Sequence, residues 1–203
     1  MHRVIVNSTP IITLCNIGKL HLLKELYGQI TIPKAVYEEI TAKQDSACQQ
    51  LQAETDWIVV EHIHNFDAKR MYQAKLHAGE VEVMILAQEE PKADLLIIDD
   101  AAAKKTAKYL GLTVTGTLGI LLKAKQQGYL DNVKECLRKM QAAGFYVSPK
   151  IVKLVLEQAH ENHPYVIPNN SCMVSEEREP YGKIKGIPPK IVVGATTSVW
   201  SYL

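Results

Sequence analysis

The stretch Asp94-Leu-Leu-Ile-Ile-Asp-Asp100 decides the fold, because its apolar run has no polar alternate and stops abruptly at two aspartates. A strand with one wet face alternates apolar and polar residues, so an unbroken run marks a strand covered on both faces, as in a parallel sheet. The same pattern recurs in Arg3-Val-Ile-Val6, Gln29-Ile-Thr-Ile32, Trp57-Ile-Val-Val-Glu61 and Leu112-Thr-Val-Thr115. Segments of helical period separate them, over residues 19–26, 34–42, 79–88 and 102–110. Strands alternating with helices imply right-handed crossovers over a parallel sheet, hence a three-layer α/β/α sandwich.

Beyond Thr115 the pattern is helical only, over 118–126, 130–143 and 150–160, the last capped by Ser148-Pro149. Gly28 and Gly111 stand where a helix needs a left-handed residue before the next strand, and Pro33 suits a helix start that tolerates a missing N–H. From about residue 163 the composition shifts to five prolines, Asn169-Asn170 and Glu176-Glu-Arg-Glu179. The division expected is a domain over 1–162 and an irregular or loosely packed extension over 163–203. No internal repeat is visible.

The bulk numbers bound the function. The 203 residues, 47% hydrophobic and 22% charged, suffice for one sizeable core. With 23 Lys+Arg against 22 Asp+Glu the net charge is +1, so any contact with a polyanion must come from a local patch. Cys15, Cys48, Cys136 and Cys172 have no CxxC spacing, no apolar run of membrane-spanning length occurs, and the first residues lack a signal-peptide pattern. A soluble cytoplasmic protein with free thiols is expected.

In parallel α/β sheets, ligands gather beyond the carboxyl ends of the strands, where strand order switches. The first strand ends in Asn7-Ser8-Thr9-Pro10 and the Leu95–Ile98 run in Asp99-Asp100; helices add Glu38-Glu39 and Glu80/Glu82. Each pair also has a plain structural reading. Acids suit a helix N-terminus or a solvated face, and one of Asp99 and Asp100 can cap the next helix while the other faces the crevice. Glu80 and Glu82 are two apart, about 200° round a helix, so one of them at most is expected to face a shared ion. Taken together in this order, these hard oxygen ligands select Mg²⁺ or Mn²⁺, and crowding should raise their pKa values.

The blocks Val4-Ile-Val-Asn-Ser-Thr-Pro-Ile-Ile-Thr-Leu14, Ile32-Pro-Lys-Ala-Val-Tyr-Glu-Glu-Ile40, Gly79-Glu-Val-Glu-Val-Met-Ile-Leu-Ala87, Leu95-Leu-Ile-Ile-Asp-Asp100 and Val114-Thr-Gly-Thr-Leu-Gly-Ile-Leu121 resemble a PIN-domain subfamily of prokaryotic proteins related to VapC-type toxins. The resemblance covers roughly residues 3 to 160. It implies a metal-dependent nuclease that cuts RNA, often the toxin of a toxin–antitoxin pair, with an antitoxin protein as partner, and often a homodimer. By position it implies metal ligation by Asn7, Glu39, Glu82, Asp99 and Asp100, with Glu80 competing with Glu82, and catalytic roles for Glu39, Glu82 and Asp99. The family pattern has Asp where this chain has Asn7. An amide oxygen still ligates Mg²⁺ but brings no charge, so weakened activity follows, or binding of RNA or a protein partner without cleavage.

Ser8 and Thr9 are expected to cap the following helix, with Ser8 also a substrate-binding candidate. Thr115-Gly116-Thr117 starts a helix where Gly permits close backbone approach and a phosphate could sit, and reads equally as a tight turn; Thr115 and Thr117 are substrate-binding candidates. Among Lys104, Lys105, Lys123 and Lys125, Lys104 is the favoured phosphate contact, one turn beyond Asp100. The seven histidines have no metal-binding spacing, and His62 and His64 read as strand-end surface residues. A receiver-like domain also gathers acids at a sheet edge, but the order of blocks does not fit it.

Overall fold

A computed structural model describes residues 3–72, 77–89 and 92–161. In chain order its elements are β1 (Val4–Val6), α1 (Ser8–Asn16), α2 (His21–Tyr27), β2 (Ile30–Pro33), α3 (Lys34–Thr41), α4 (Ser46–Ala53), β3 (Ile58–Glu61), α5 (Phe66–Tyr72), α6 (Ala78–Gln88), β4 (Leu95–Ile97), α7 (Ala101–Tyr109), β5 (Val114–Thr115), α8 (Thr117–Gln126), α9 (Val133–Ala142) and α10 (Pro149–Gln158).

The five strands are parallel in the order β3-β2-β1-β4-β5, with helices flanking the sheet in the expected α/β/α sandwich. In the central strand Val4, Ile5 and Val6 are all buried, which is why the apolar run never alternates. Val4, Ile5 and Val6 lie opposite Leu95, Leu96 and Ile97 of β4, and Ile5 opposite Thr31 of β2. The chain winds outward from β1 through β2 to β3, then returns to β4 on the other side of β1. Strand order therefore switches between β1 and β4.

All five strand readings recur with their starts trimmed by one or two residues; β4 also ends one residue earlier and β2 runs one residue further, to Pro33. Gly28 and Gly111 have φ of 72° and 74°, as a left-handed helix stop requires. Ser148 caps α10 by accepting from the Ile151 N–H, with Pro149 following. Two helices, α4 and α5, have no counterpart in the sequence reading, and α1 figures there only as the helix that follows Ser8 and Thr9. α1 buries Ser8, Pro10, Ile11, Thr13, Leu14 and Cys15, and a helix buried nearly all round shows no polar stripe. α4 begins at Asp45, whose carboxylate accepts from the N–H groups of Ala47 and Cys48, and α5 lies just beyond β3.

Two start signals are corrected. Asn7, not Ser8 or Thr9, stands at the N-cap of α1, so both hydroxyl residues lie inside the helix; Pro33 closes β2 at the N-cap of α3 instead of taking the first helical position. Cys15, Cys48 and Cys136 are buried free thiols, and burial, with a smaller contribution from Asp45, pushes the Cys15 thiol up to about 12. Residues 163–203 and Cys172 lie outside the described residues. Among the described residues, no helix is long and apolar enough to cross a membrane.

Candidate functional site

The Asn7 N–H donates to the Ile97 carbonyl at 2.9 Å, so the ladder between β1 and β4 runs up to the strand ends and sets Asn7 beside the start of the Asp99 loop. The switch in strand order thus carries an amide from β1 and a carboxylate from β4, with Thr117 arriving from the end of β5.

Asn7 is 3% exposed, and its Oδ1 has no hydrogen-bond partner among the described residues. A buried acceptor left unpaired costs about 1–3 kcal/mol, so it points to something that satisfies it. Its surroundings are defined by Gly79, near the start of α6. A Cβ at that position would stand 3.1 Å from Glu39 Oε2, 3.3 Å from Val36 Cγ2 and 3.4 Å from Asn7 Oδ1. An amide oxygen from β1 and a carboxylate oxygen from α3 therefore border the same small space, which Gly79 leaves open. Buried Val36 anchors α3 against α6 here, while the Glu39 side chain stays exposed.

One turn along α6, Glu82 is occupied. Its Oε2 accepts from the Ala35 N–H at 2.9 Å, tying down a free donor at the start of α3, and its Oε1 pairs with Lys69 Nζ of α5 at 2.7 Å. The pair is well enclosed, with side-chain exposures of 8% for Glu82 and 27% for Lys69. Glu80 is buried too, and its Oε2 accepts from the His77 N–H in a capping box at the start of α6. Neither glutamate is bare, and Glu80 does what a first-turn glutamate ordinarily does.

Both oxygens of Asp99 bind Thr117: Oδ1 accepts from its N–H at 2.8 Å and Oδ2 from its hydroxyl at 2.6 Å. A Cβ at Gly116 would lie 2.7 Å from Asp99 Oδ1, 2.7 Å from Lys104 Nζ and 3.2 Å from the Ile98 carbonyl, so the bare Gly116 lets α8 begin directly against the end of β4. Burial pushes the Asp99 carboxyl above its ordinary value of 3.8, and the Thr117 donors and the Lys104 charge offset only part of this. Raised carboxyl pKa values were expected from crowded acids; at Asp99 the largest cause is burial. Burial likewise lowers the Lys104 ammonium, against the opposing pull of Asp99 and Asp100. Asp100 caps α7 by accepting from the Ala103 N–H at 2.7 Å, so one of the two aspartates does take the cap.

The remaining candidates are spread out or enclosed. Thr117 is fully buried and spends its hydroxyl on Asp99, which makes it a support for that carboxylate and closes it to substrate. Ser8 is 3% exposed. Thr115 Oγ1 fills the space a Cβ at Gly119 would take. Lys123 lies over the Tyr27 ring at 4.3 Å, and Lys125 pairs with Glu161 at 3.0 Å. His62 and His64 are exposed as expected, and His64 binds Glu89. Sequence reasoning did not single out Lys69. It stands 13 residues before Glu82, and only the packing of α5 on α6 brings the two together.

Among the described residues, no group of three or more His, Cys, Asp or Glu side chains is placed to hold a metal ion. The oxygen pair offered by Asn7 and Glu39 is the part of the expected donor set that is both grouped and unsatisfied on one side. The family model described as PIN domain matches residues 3–161. No curated protein matches the chain.

Proposed function

This chain belongs to the PIN-domain family, a nuclease-type fold, and from that premise we propose that it is a metal-dependent endoribonuclease of attenuated activity, acting on single-stranded RNA. The observation that carries the reading is the unpaired Asn7 Oδ1, buried at the switch between β1 and β4 beside the Glu39 carboxylate. Neutral amide and carboxylate oxygens are hard donors that suit Mg²⁺ or Mn²⁺, so the residues present fit such an ion.

Asn7 and Glu39 would hold the ion from β1 and α3. When bound, a divalent cation lowers the pKa of a coordinated water and stabilises charge on a phosphodiester. The protein's own groups do the rest. Asp99, fixed on both oxygens by Thr117, is the carboxylate at the end of β4 that can orient a water or accept its proton. Lys104, partly exposed beside it, offers an ammonium to the RNA backbone without reading sequence. Glu82 and Asp100 belong to the wider acidic rim, engaged with Lys69 and Ala103 respectively. A role as the toxin of a toxin–antitoxin pair, a homodimeric state and a cytoplasmic location are part of the same proposal; a neighbouring gene for a small DNA-binding protein would support the first.

Restoring charge at the first strand is the test. Asn7→Asp should cleave single-stranded RNA about tenfold faster than the natural chain at equal Mn²⁺, since ligand charge tunes affinity for hard cations. Equal rates would overturn the proposal. A second reading, binding of RNA or a protein partner without cleavage, is favoured by the uncharged Asn7 and by Glu82 already holding a lysine. It predicts RNA retention with no cleavage by either form.

A further inference from the structure

Glu82 lies one helical turn from Gly79, and residues three apart on a helix are neighbours on one face. On α3 the matching positions are Ala35, whose N–H binds Glu82, and Glu39, whose Oε2 borders the Gly79 space. The glutamate is therefore within a side chain's reach of the Asn7–Glu39 oxygens, yet both of its own oxygens are turned elsewhere, one to a backbone N–H and one to Lys69. Enclosing a carboxylate without a counter-charge is costly. Lys69 already supplies that charge.

We infer that Lys69 is an internal counter-ion that keeps Glu82 out of the metal's ligand set and thereby restricts the Asn7–Glu39 site to weak binding of one divalent cation. The inference rests on the proposed metal site. With Asn7 neutral and Glu82 neutralised by Lys69, Glu39 supplies the carboxylate oxygen nearest the Gly79 space among the described residues. Two divalent ions side by side would find too little negative charge there. Removing the ammonium leaves Glu82 enclosed and uncompensated, and a divalent cation is then the partner at hand.

Mn²⁺ binding to the full chain, followed by the electron paramagnetic resonance signal of the free ion, separates the possibilities. Lys69→Met should tighten Mn²⁺ binding by about tenfold, in line with one more charged ligand. Glu82→Gln alone should leave the natural affinity within about twofold, and the double variant Lys69→Met/Glu82→Gln should return to the natural value. Glu39→Gln should abolish binding in every background. If Glu82→Gln weakens binding as much as Glu39→Gln does, Glu82 is already a ligand and the inference falls, and this variant decides the matter even if Lys69→Met fails to fold. If Lys69→Met folds and binds no more tightly, it falls as well. If Mn²⁺ binds to Glu39→Gln as to the natural chain, or to none of the forms, the metal site itself is wrong and the inference goes with it.

Discussion

Asp99 sits where stability and chemistry pull in opposite directions. Its carboxyl is held above the ordinary 3.8 by burial, which means the folded chain binds that proton more tightly than the unfolded chain. Stability from this group is fully present below 3.8 and declines as pH rises through the folded value, so at neutral pH the buried carboxyl is a net cost. Asn fits the same hydrogen bonds, since its oxygen can accept from the Thr117 N–H and the Thr117 hydroxyl can turn to accept from its amide. Asp99→Asn should therefore raise the melting temperature of the metal-free chain at pH 7, by ~2–4 °C for each kcal/mol relieved in a chain of this size. RNA cleavage should fall about a hundredfold, as expected for loss of a general base. The stability gain should vanish on acidification below 3.8; a gain independent of pH, or a loss at pH 7, would show that burial of this charge is not what the native state tolerates. Stability given up at one residue in this way is common at functional sites.

At the scale of elements, the site depends on how closely α8 can start against β4. Gly116 has φ of −128°, which any residue adopts, so its role is steric: an added methyl would press on the Ile98 carbonyl, the Asp99 carboxylate and the Lys104 ammonium. Gly116→Ala should destabilise the chain by about 1–3 kcal/mol, the usual cost of overpacking, and should cut cleavage more than stability alone explains because Asp99 and Thr117 are pushed apart. Chemical denaturation and cleavage measured on the same preparation would check both parts. This joint was partly legible in the sequence: Gly116 read as allowing close approach, and one of Asp99 and Asp100 read as a helix cap, because each depends on its place at a strand end. Glu82 and Lys69 were not legible in the same way. The glutamate sits on a helix like any ligand candidate, and only the docking of α5 and of the start of α3 reveals that both its oxygens are taken. The extent of α1 was not legible for a related reason, since a helix buried on nearly every side looks like neither an amphipathic helix nor a surface turn.

Over the whole molecule, two other carboxylates fasten chain segments far apart in sequence, and their titration makes the fold sensitive to acid. Glu161, just past α10, accepts from the N–H groups of Val133 and Lys134 at the start of α9 and pairs with Lys125 of α8. Glu89, just past α6, accepts from the N–H groups of His64 and Asn65 ahead of α5. Burial alone would raise both carboxyls, but the backbone donors, with Lys125 for Glu161 and His64 for Glu89, outweigh it and hold both below the ordinary 4.5. A depressed folded value makes the contribution to stability present above 4.5 and lost as pH falls through the folded pKa, the opposite sign to Asp99. The contribution of Glu161 and Glu89 predicts a loss of melting temperature on acidification below about 4.5, against the opposite trend from Asp99. Because Glu161 ties α8, α9 and α10 together, Glu161→Gln should melt lower than the natural chain at pH 7 and show a shallower fall between pH 5 and pH 3, measured by thermal denaturation across that range. An unchanged acid slope in the variant would assign the acid sensitivity to Glu89 and the α5–α6 junction, the same junction from which Lys69 reaches Glu82.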